Sequence, residues 1–132
     1  MVLNTLAPIP AETEQVGRWV IGCGITVHRI LGPGFKEIIY KRAFCLELDS
    51  RGLRYECEKK ILVRYKDWDI PGQTIDLIVE GCVLVELKAI PRLRAINTRQ
   101  VVSYLKAAHL RLGLLMNFNV NVLSQGLKRI AV

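Results

Sequence analysis

Apolar residues recur at spacings of three and four in the first part of the chain, which is the period of an amphipathic helix. The pattern begins at Glu12 and predicts a first helix that stops at Gly32-Pro33-Gly34, because glycine caps helices and proline cannot continue them. Its predicted core face comprises Val16, Trp19, Val20, Cys23, Val27 and Ile30. A second helix is predicted over roughly Lys36–Arg51, with Gly52 ending it.

The pattern changes after Gly52 to short apolar runs and alternation, which indicate β-strands. Leu53–Lys66 holds one long strand or two short ones, and Asp67–Gly72 is predicted as a hairpin connection. Further strands are predicted at Gln73–Glu80 and Val83–Ile90, joined by a tight turn, and at Leu112–Phe118 and Leu127–Ala131. A third helix is predicted over Asn97–Leu110. This order predicts an α/β fold with a mixed central sheet flanked by helices.

The whole of residues 12–132 fits a single domain, and residues 1–11, with two prolines, are predicted to be a flexible tail. No stretch approaches the roughly 20 apolar residues of a membrane helix, and we see no secretory signal. The four cysteines form no CxxC pair, so we expect reduced, mostly buried thiols rather than a zinc site. We therefore predict a cytoplasmic protein that does not contact a membrane.

Charge is distributed unevenly along the chain. Residues 1–86 carry 11 Lys and Arg against 12 Asp and Glu, whereas residues 87–132 carry 8 Lys and Arg and no acid. All of the net charge of +7 thus lies after Glu86. Such an asymmetry favours a surface that meets a polyanion, and a solubilising basic face is the alternative. The basic residues nearest the third helix are Arg92, Arg94, Arg99 and Lys106.

Charged residues interrupt two neighbouring apolar strands. Glu86 and Lys88 are two apart in Val83–Ile90 and so point to one face, and Asp76 interrupts the preceding strand. The turn between the strands makes them antiparallel neighbours, which places Asp76 level with Glu86 and Lys88. Two carboxylates can therefore meet at one edge of the sheet.

Converging carboxylates repel each other, and Mg²⁺ would remove that conflict because it prefers hard oxygen ligands and leaves room for substrate phosphate. A lysine beside the ion can orient an attacking water and stabilise charge on phosphorus. We therefore predict that Asp76 and Glu86 bind Mg²⁺, with Mn²⁺ as a substitute, and that Lys88 is catalytic. The alternative is an ordinary Glu86–Lys88 ion pair with Asp76 capping a turn.

Two pairs of residues at helical spacing extend this set. Glu37 and Tyr40 share a face of the second helix, and Glu37 could supply another metal ligand. Gln100 and Tyr104 are spaced i, i+4 on the third helix and could hold phosphate or position Lys88. Taken singly, Tyr104 could be a core residue and Glu37 a solvated charge.

These residues together resemble a known family. Gly34 to Tyr40 reads G-x-x-E-x-x-Y, and with Val85-Glu86-Leu87-Lys88-Ala89, Gln100, Ser103-Tyr104-Leu105-Lys106 and Gly113–Phe118 it is similar to the GxxExxY protein family. The similarity runs from about Val16 to Ile130. That family is placed in the PD-(D/E)XK nuclease superfamily and resembles its RecB-like branch.

The resemblance implies a restriction-endonuclease-like core of αβββαβ order. It implies that Asp76 and Glu86 bind magnesium, that Lys88 is the catalytic lysine, and that Glu37 is an additional acid. Gln100 and Tyr104 would match the Q-x-x-x-Y motif. The sequence departs from the family pattern at Thr74, Pro91 and Asn97, which concerns substrate contacts more than the metal-binding set.

Two functions follow from this sequence. The first is a metal-dependent nuclease that hydrolyses DNA or RNA, with Arg92, Arg94, Arg99 and Lys106 on backbone phosphates. Such a short chain has no separate specificity domain, so it could act as a homodimer or beside a partner. The second is a catalytically idle module on the same fold that binds nucleic acid or protein.

Overall fold

The computed structural model describes residues 7–132, which form three α-helices and a five-stranded sheet. The helices are α1 (Ala11–Leu31), α2 (Glu37–Ser50) and α3 (Ala95–Ala108). The strands are β1 (Tyr55–Tyr65), β2 (Trp68–Val79), β3 (Val83–Lys88), β4 (Leu112–Asn117) and β5 (Leu127–Ala131), with a short 3-10 helix at Leu123–Gly126. The predicted α/β fold and its αβββαβ order are confirmed.

The strands lie in the order in which they follow one another, β1-β2-β3-β4-β5. All neighbours are antiparallel except β3 and β4, which are parallel and are connected through α3. A parallel pair needs such a crossover, since a tight turn can join only antiparallel strands. The mixed sheet is therefore a consequence of α3 standing between β3 and β4.

Each face of the sheet is covered by helices. One core cluster joins α1 and α2 to Val83, Val85 and Leu87, and a second joins α3 to Leu84 and Leu115. The β3 residues thus alternate between two buried faces, as expected for a central strand covered on both sides. A polar side chain on either face of β3 is consequently held in a largely apolar environment.

Two residues of the predicted core face of α1 are on the surface. Trp19 is 46% exposed and Ile30 is 75% exposed, so their assignment to the core was wrong. The side chains of Val16, Val20 and Cys23 are buried instead, and with Val27 they form a narrow stripe. A stripe of this width is enough because α1 contacts the sheet along one line, while Trp19 and Ile30 lie beside it.

The connection between β1 and β2 is shorter than predicted. Tyr65 pairs with Trp68, so the turn consists of Lys66 and Asp67, and residues 68–72 belong to β2. The pairing shifts register between Ile61 and Val63, opposite Pro71-Gly72. Proline is tolerated inside a strand at such a bulge, where its missing N–H breaks no ladder. The prediction of a longer loop was wrong because proline and glycine here mark a bulge.

The start of the described chain contacts Arg111. Six residues of the predicted tail, 1–6, lie outside the described residues, and the carbonyls of Ala7 and Pro8 accept hydrogen bonds from Arg111.

All four cysteines are free thiols; Cys23 and Cys45 are buried as expected, and the expectation was wrong for Cys57, which is exposed. No helix within residues 7–132 combines the length and apolarity needed to cross a membrane. The cytoplasmic location stays a prediction.

Candidate active site

Asp76 on β2 and Glu86 on β3 replace the backbone ladder between their strands with side-chain bonds. The ladder runs from Val79↔Val83 to Leu77↔Val85. Beyond it, Glu86 Oε1 accepts a hydrogen bond of 2.9 Å from Asp76 N, and Asp76 Oδ2 accepts one of 2.9 Å from Leu87 N. The strands diverge here, and the two carboxyl groups fill the space between them.

The regular alternation of β2 breaks at the same point. Ile75 packs in the core cluster on the α3 side, whereas Leu77, two residues later, packs on the α1 and α2 side. Residues two apart in an undistorted strand would share a face. The break lets Asp76 reach both the edge of β3 and helix α2.

Glu58 of β1 lies opposite this break. The register pairs Cys57 with Leu77 and Lys59 with Ile75, and Glu58 between them has a φ of 53°. This left-handed conformation is unfavourable for a residue with a Cβ, and it is uncommon inside a strand. Glu58 therefore leaves the regular pleat at the position that faces Asp76.

Lys88 is oriented by α3. Its Nζ donates a hydrogen bond of 3.1 Å to Gln100 Oε1. The structure thus brings together Lys88 and Gln100, as the sequence suggested. The alternative of a Glu86–Lys88 ion pair was wrong, since the Lys88 ammonium bonds the Gln100 amide and Glu86 bonds the backbone of Asp76.

Tyr104 lies one turn further along α3 and is 9% exposed. Its hydroxyl accepts a hydrogen bond of 2.8 Å from Gln73 Nε2 of β2. Burial and the charge of Glu86 raise the pKa of Tyr104, while its hydrogen bonds with Gln100 and Gln73 act in the opposite direction. Tyr104 and Gln100 therefore face the same site.

Lys41 of α2 also enters the site, and the sequence analysis missed it together with Glu58. Lys41 Nζ lies 2.9 Å from Asp76 Oδ1 and donates a second hydrogen bond to Glu58 Oε1. Burial alone would lower the pKa of Lys41, but its hydrogen bonds with Glu58 and Asp76 raise it. The available signal was the i, i+4 spacing of Lys41 from Glu37, which places both on one side of α2.

The electrostatics of the carboxyl pair depend on burial. Glu86 is 5% exposed, and burial, followed by the charge of Asp76, raises its pKa to about 8. Burial and the charge of Asp76 also raise the pKa of Glu37, which is half-buried at the start of α2. Burial and the mutual repulsion of the carboxyl groups thus disfavour their ionised forms, and a bound cation would offset both effects.

These donors suit a magnesium ion in number and type. Mg²⁺ is commonly held by one or two carboxylates, with water and phosphate oxygens as its other ligands. Asp76 and Glu86 offer two such groups. Within residues 7–132, no three side chains of the His, Cys, Asp and Glu types group as a metal site. The charges of Asp76 and Lys88 act on the Glu37 carboxyl, and a role of Glu37 as an additional metal ligand stays a prediction.

Tyr40, the last residue of the G-x-x-E-x-x-Y pattern, is fully buried away from the carboxyl pair. Its hydroxyl donates a hydrogen bond of 2.6 Å to Gly32 O and accepts one of 3.1 Å from Phe35 N. Its ring stacks on Phe118, with centroids 4.7 Å apart. Tyr40 thus ties the turn between α1 and α2 to the core, and Glu37 is the member of the pattern that faces the site.

The four basic residues predicted to meet nucleic acid, Arg92, Arg94, Arg99 and Lys106, are all exposed. Arg99 and Lys106 line an open groove along α3 together with Gln73, Gln100 and Tyr104. Arg92 and Arg94 lie in the segment before the helix, where Arg94 N donates a hydrogen bond of 2.8 Å to Asn97 Oδ1. A basic groove therefore leads to the side chains around Lys88.

The family model of the PD-(D/E)XK nuclease superfamily matches residues 14–130. This chain belongs to the PD-(D/E)XK nuclease superfamily. No curated protein and no solved structure matches significantly. The superfamily match agrees with the five-stranded mixed sheet of this PD-(D/E)XK domain and with a nuclease-type function. Membership in the GxxExxY family stays a prediction.

Proposed function

We propose that this PD-(D/E)XK domain is a metal-dependent nuclease that hydrolyses phosphodiester bonds in DNA or RNA. The observation that carries the proposal is the pair of Asp76 and Glu86, whose carboxyl groups fill the gap between β2 and β3 beside Lys88. Asp76 and Glu86 would hold Mg²⁺ or Mn²⁺, with Glu37 as a further acid. The bound ion would supply Lewis acidity and lower the pKa of a water molecule.

The side chains around the pair have separate tasks in this proposal. Lys88 orients the attacking water and stabilises the negative charge that develops on the phosphate oxygens. Gln100 accepts a hydrogen bond of 3.1 Å from the Lys88 ammonium and so keeps it from forming an ion pair with Glu86. Tyr104, fixed by Gln73, supports the same side of the site. Lys88, Gln100 and Tyr104 thus form the face that meets the scissile phosphate.

Nucleic acid would reach the site along α3. Arg99 and Lys106 border the groove beside Gln100, and Arg92 and Arg94 extend the positive charge before the helix. Contacts of these residues with backbone phosphates would make binding sensitive to salt and largely independent of sequence. A homodimer stays a prediction and can be tested by analytical ultracentrifugation.

Cleavage of defined substrates tests the proposal. The purified protein is incubated with linear duplex DNA, single-stranded DNA and RNA, in Mg²⁺, Mn²⁺ or EDTA. We expect cleavage that requires a divalent ion and falls by at least about a hundredfold in Lys88→Ala, the size of effect typical of a lost transition-state donor. Arg18→Ala, which removes an exposed charge on α1, is the matched control and should cleave like the wild type.

One observation favours the second candidate, an idle module that binds nucleic acid or protein. Lys41 pairs with Asp76 at 2.9 Å, so a side chain already neutralises one carboxylate of the site. An idle module would bind the same nucleic acids or a protein partner, and would leave every substrate intact in Mg²⁺ and in Mn²⁺. That result would sink the nuclease proposal.

A further inference from the structure

Lys41 forms an ion pair with Asp76, one of the two residues proposed to bind the metal. Its Nζ is 2.9 Å from Asp76 Oδ1, and the side chains of Lys41 and Asp76 are only 13% and 14% exposed. Water screens charges weakly at such a site, so the ammonium strongly neutralises the carboxylate. Asp76 Oδ2 is occupied separately by the backbone N–H of Leu87. Both carboxylate oxygens of Asp76 therefore have a partner, and the partner of Oδ1 is the Lys41 ammonium.

Glu58 gives the same ammonium a second acceptor. Lys41 Nζ donates to Glu58 Oε1, and the Glu58 side chain is 52% exposed. The backbone of Glu58 keeps a φ of 53° in the middle of β1, a costly conformation that persists where the surroundings require it. Glu58 lies opposite Asp76, because the residues on either side of the two are paired between β1 and β2. Its strained position thus places a carboxylate within reach of Lys41.

We propose that Lys41 is a positioning residue that acts as a built-in counter-ion of Asp76, competes there with the divalent metal, and stays on Glu58 when the metal binds. The inference rests on the proposed function, because it requires Asp76 and Glu86 to be the metal ligands. An ammonium close to a divalent ion repels it, so Lys41 weakens metal binding. Glu58 draws that charge away from Asp76 and so favours metal binding.

Titration with Mn²⁺ alone tests the inference without any cleavage assay. The dissociation constant is measured on the full chain from the electron paramagnetic resonance signal of free Mn²⁺, at fixed pH and salt. The variants are Lys41→Met, which keeps the apolar stem, Glu58→Gln, and the double variant. Arg42→Ala is the matched control, because Arg42 is the next residue of α2 and is exposed.

Lys41→Met and Glu58→Gln should change the affinity for Mn²⁺ in opposite directions. Lys41→Met should tighten Mn²⁺ binding at least about tenfold, because the competing charge is gone. Glu58→Gln should weaken it roughly threefold to tenfold, because Lys41 then remains on Asp76. In the double variant, loss of Glu58 should have little further effect, since there is no ammonium left to attract. Arg42→Ala should bind Mn²⁺ like the wild type.

Thermal unfolding gives a second readout and controls for folding. In EDTA, Lys41→Met should melt below the wild type, because Asp76 and Glu58 lose their shared partner. Saturating Mn²⁺ should raise its melting temperature by more than it raises that of the wild type. If Lys41→Met does not fold, Glu58→Gln decides the matter: Mn²⁺ affinity equal to or tighter than that of the wild type overturns the inference.

The failures of the two proposals differ. If the wild type binds Mn²⁺ and Lys41→Met binds it no more tightly than Arg42→Ala does, the role of Lys41 is refuted while the nuclease proposal stands. If neither the wild type nor Lys41→Met binds Mn²⁺, both are refuted, because Asp76 and Glu86 are then not a metal site.

Discussion

Asp76 and Glu86 each reach across to the neighbouring strand: Glu86 Oε1 accepts from Asp76 N, and Asp76 Oδ2 accepts from Leu87 N, both at 2.9 Å. At the point where β2 and β3 separate, two side chains thus make the hydrogen bonds that backbone groups make elsewhere between these strands. The arrangement satisfies the backbone groups and holds two acids in a buried gap, so its stability must depend on protonation.

The first prediction concerns the stability of the metal-free protein as a function of pH. The pKa of Glu86 rises from its ordinary 4.5 to about 8, with burial the largest cause. Between these values the folded protein keeps a proton that the unfolded chain loses. The contribution of Glu86 to the free energy of unfolding is therefore full below pH 4.5 and is lost as the pH rises through 8. The loss should be on the order of a few kcal/mol.

Urea unfolding from pH 5 to pH 9 in EDTA measures this dependence. Glu86→Gln should flatten the curve over that range, and saturating Mg²⁺ should do so in the wild type, because both remove the cost of ionising Glu86. Glu12→Gln, which changes an exposed acid of α1, should leave the slope unchanged. A slope that is the same in Glu86→Gln and the wild type would contradict the assignment.

The second prediction separates the task of Gln100 from that of Lys88. Gln100→Ala removes the acceptor that holds Lys88 Nζ at 3.1 Å, so the lysine keeps its charge and loses its orientation. We expect kcat to fall by about tenfold to a hundredfold with little change in KM, since misplacement of a catalytic group mainly affects the transition state. Gln125→Ala, at an exposed glutamine on the 3-10 helix, should have no effect. A change confined to KM would instead indicate that Gln100 binds substrate.

The third prediction concerns Tyr40. Tyr40→Phe removes the hydroxyl that bridges Gly32 O and Phe35 N but keeps the ring stacked on Phe118. The free energy of unfolding should fall by about 2 kcal/mol, because the Gly32 carbonyl and the Phe35 N–H, which are bonded in a partly buried turn, lose their partner. Urea unfolding measures the change, and Tyr65→Phe, at a tyrosine 58% exposed, should change it little. Metal-dependent cleavage below the melting temperature should be close to that of the wild type; a complete loss would show that Tyr40 serves the site.

The fourth prediction concerns the groove along α3. The double variant Arg99→Ala with Lys106→Ala removes two exposed charges beside Gln100. Fluorescence anisotropy in EDTA should show weaker binding of DNA and a salt dependence reduced in slope by about 1 to 2, since each lost phosphate contact contributes about 0.7–0.9. Arg18→Ala on α1 should leave the slope unchanged. An unchanged slope in the double variant would place the nucleic acid elsewhere.

Periodicity and breakers in the sequence were enough to determine the elements and their order. The spacing of Val16, Val20 and Cys23 predicts α1, and the apolar run of β3 on both sides of Glu86 predicts a strand covered on two faces. The tight turn before β3 also fixes β2 and β3 as antiparallel neighbours. The closeness of Asp76 and Glu86 followed from these local patterns, because a short turn leaves little choice of register.

Tertiary structure alone decided which other side chains enter the site. Lys41 reaches Asp76 because α2 packs over the sheet near the break in β2. Glu58 lies opposite Asp76 in the pairing of β1 with β2, and its left-handed backbone conformation brings its side chain to Lys41. The spacing of hydrophobic residues along the sequence predicts neither the packing angle of a helix nor a strained backbone conformation. Trp19 lies outside the core for a similar reason: the sequence showed which face of α1 is apolar, whereas the sheet it meets set how much of that face is buried.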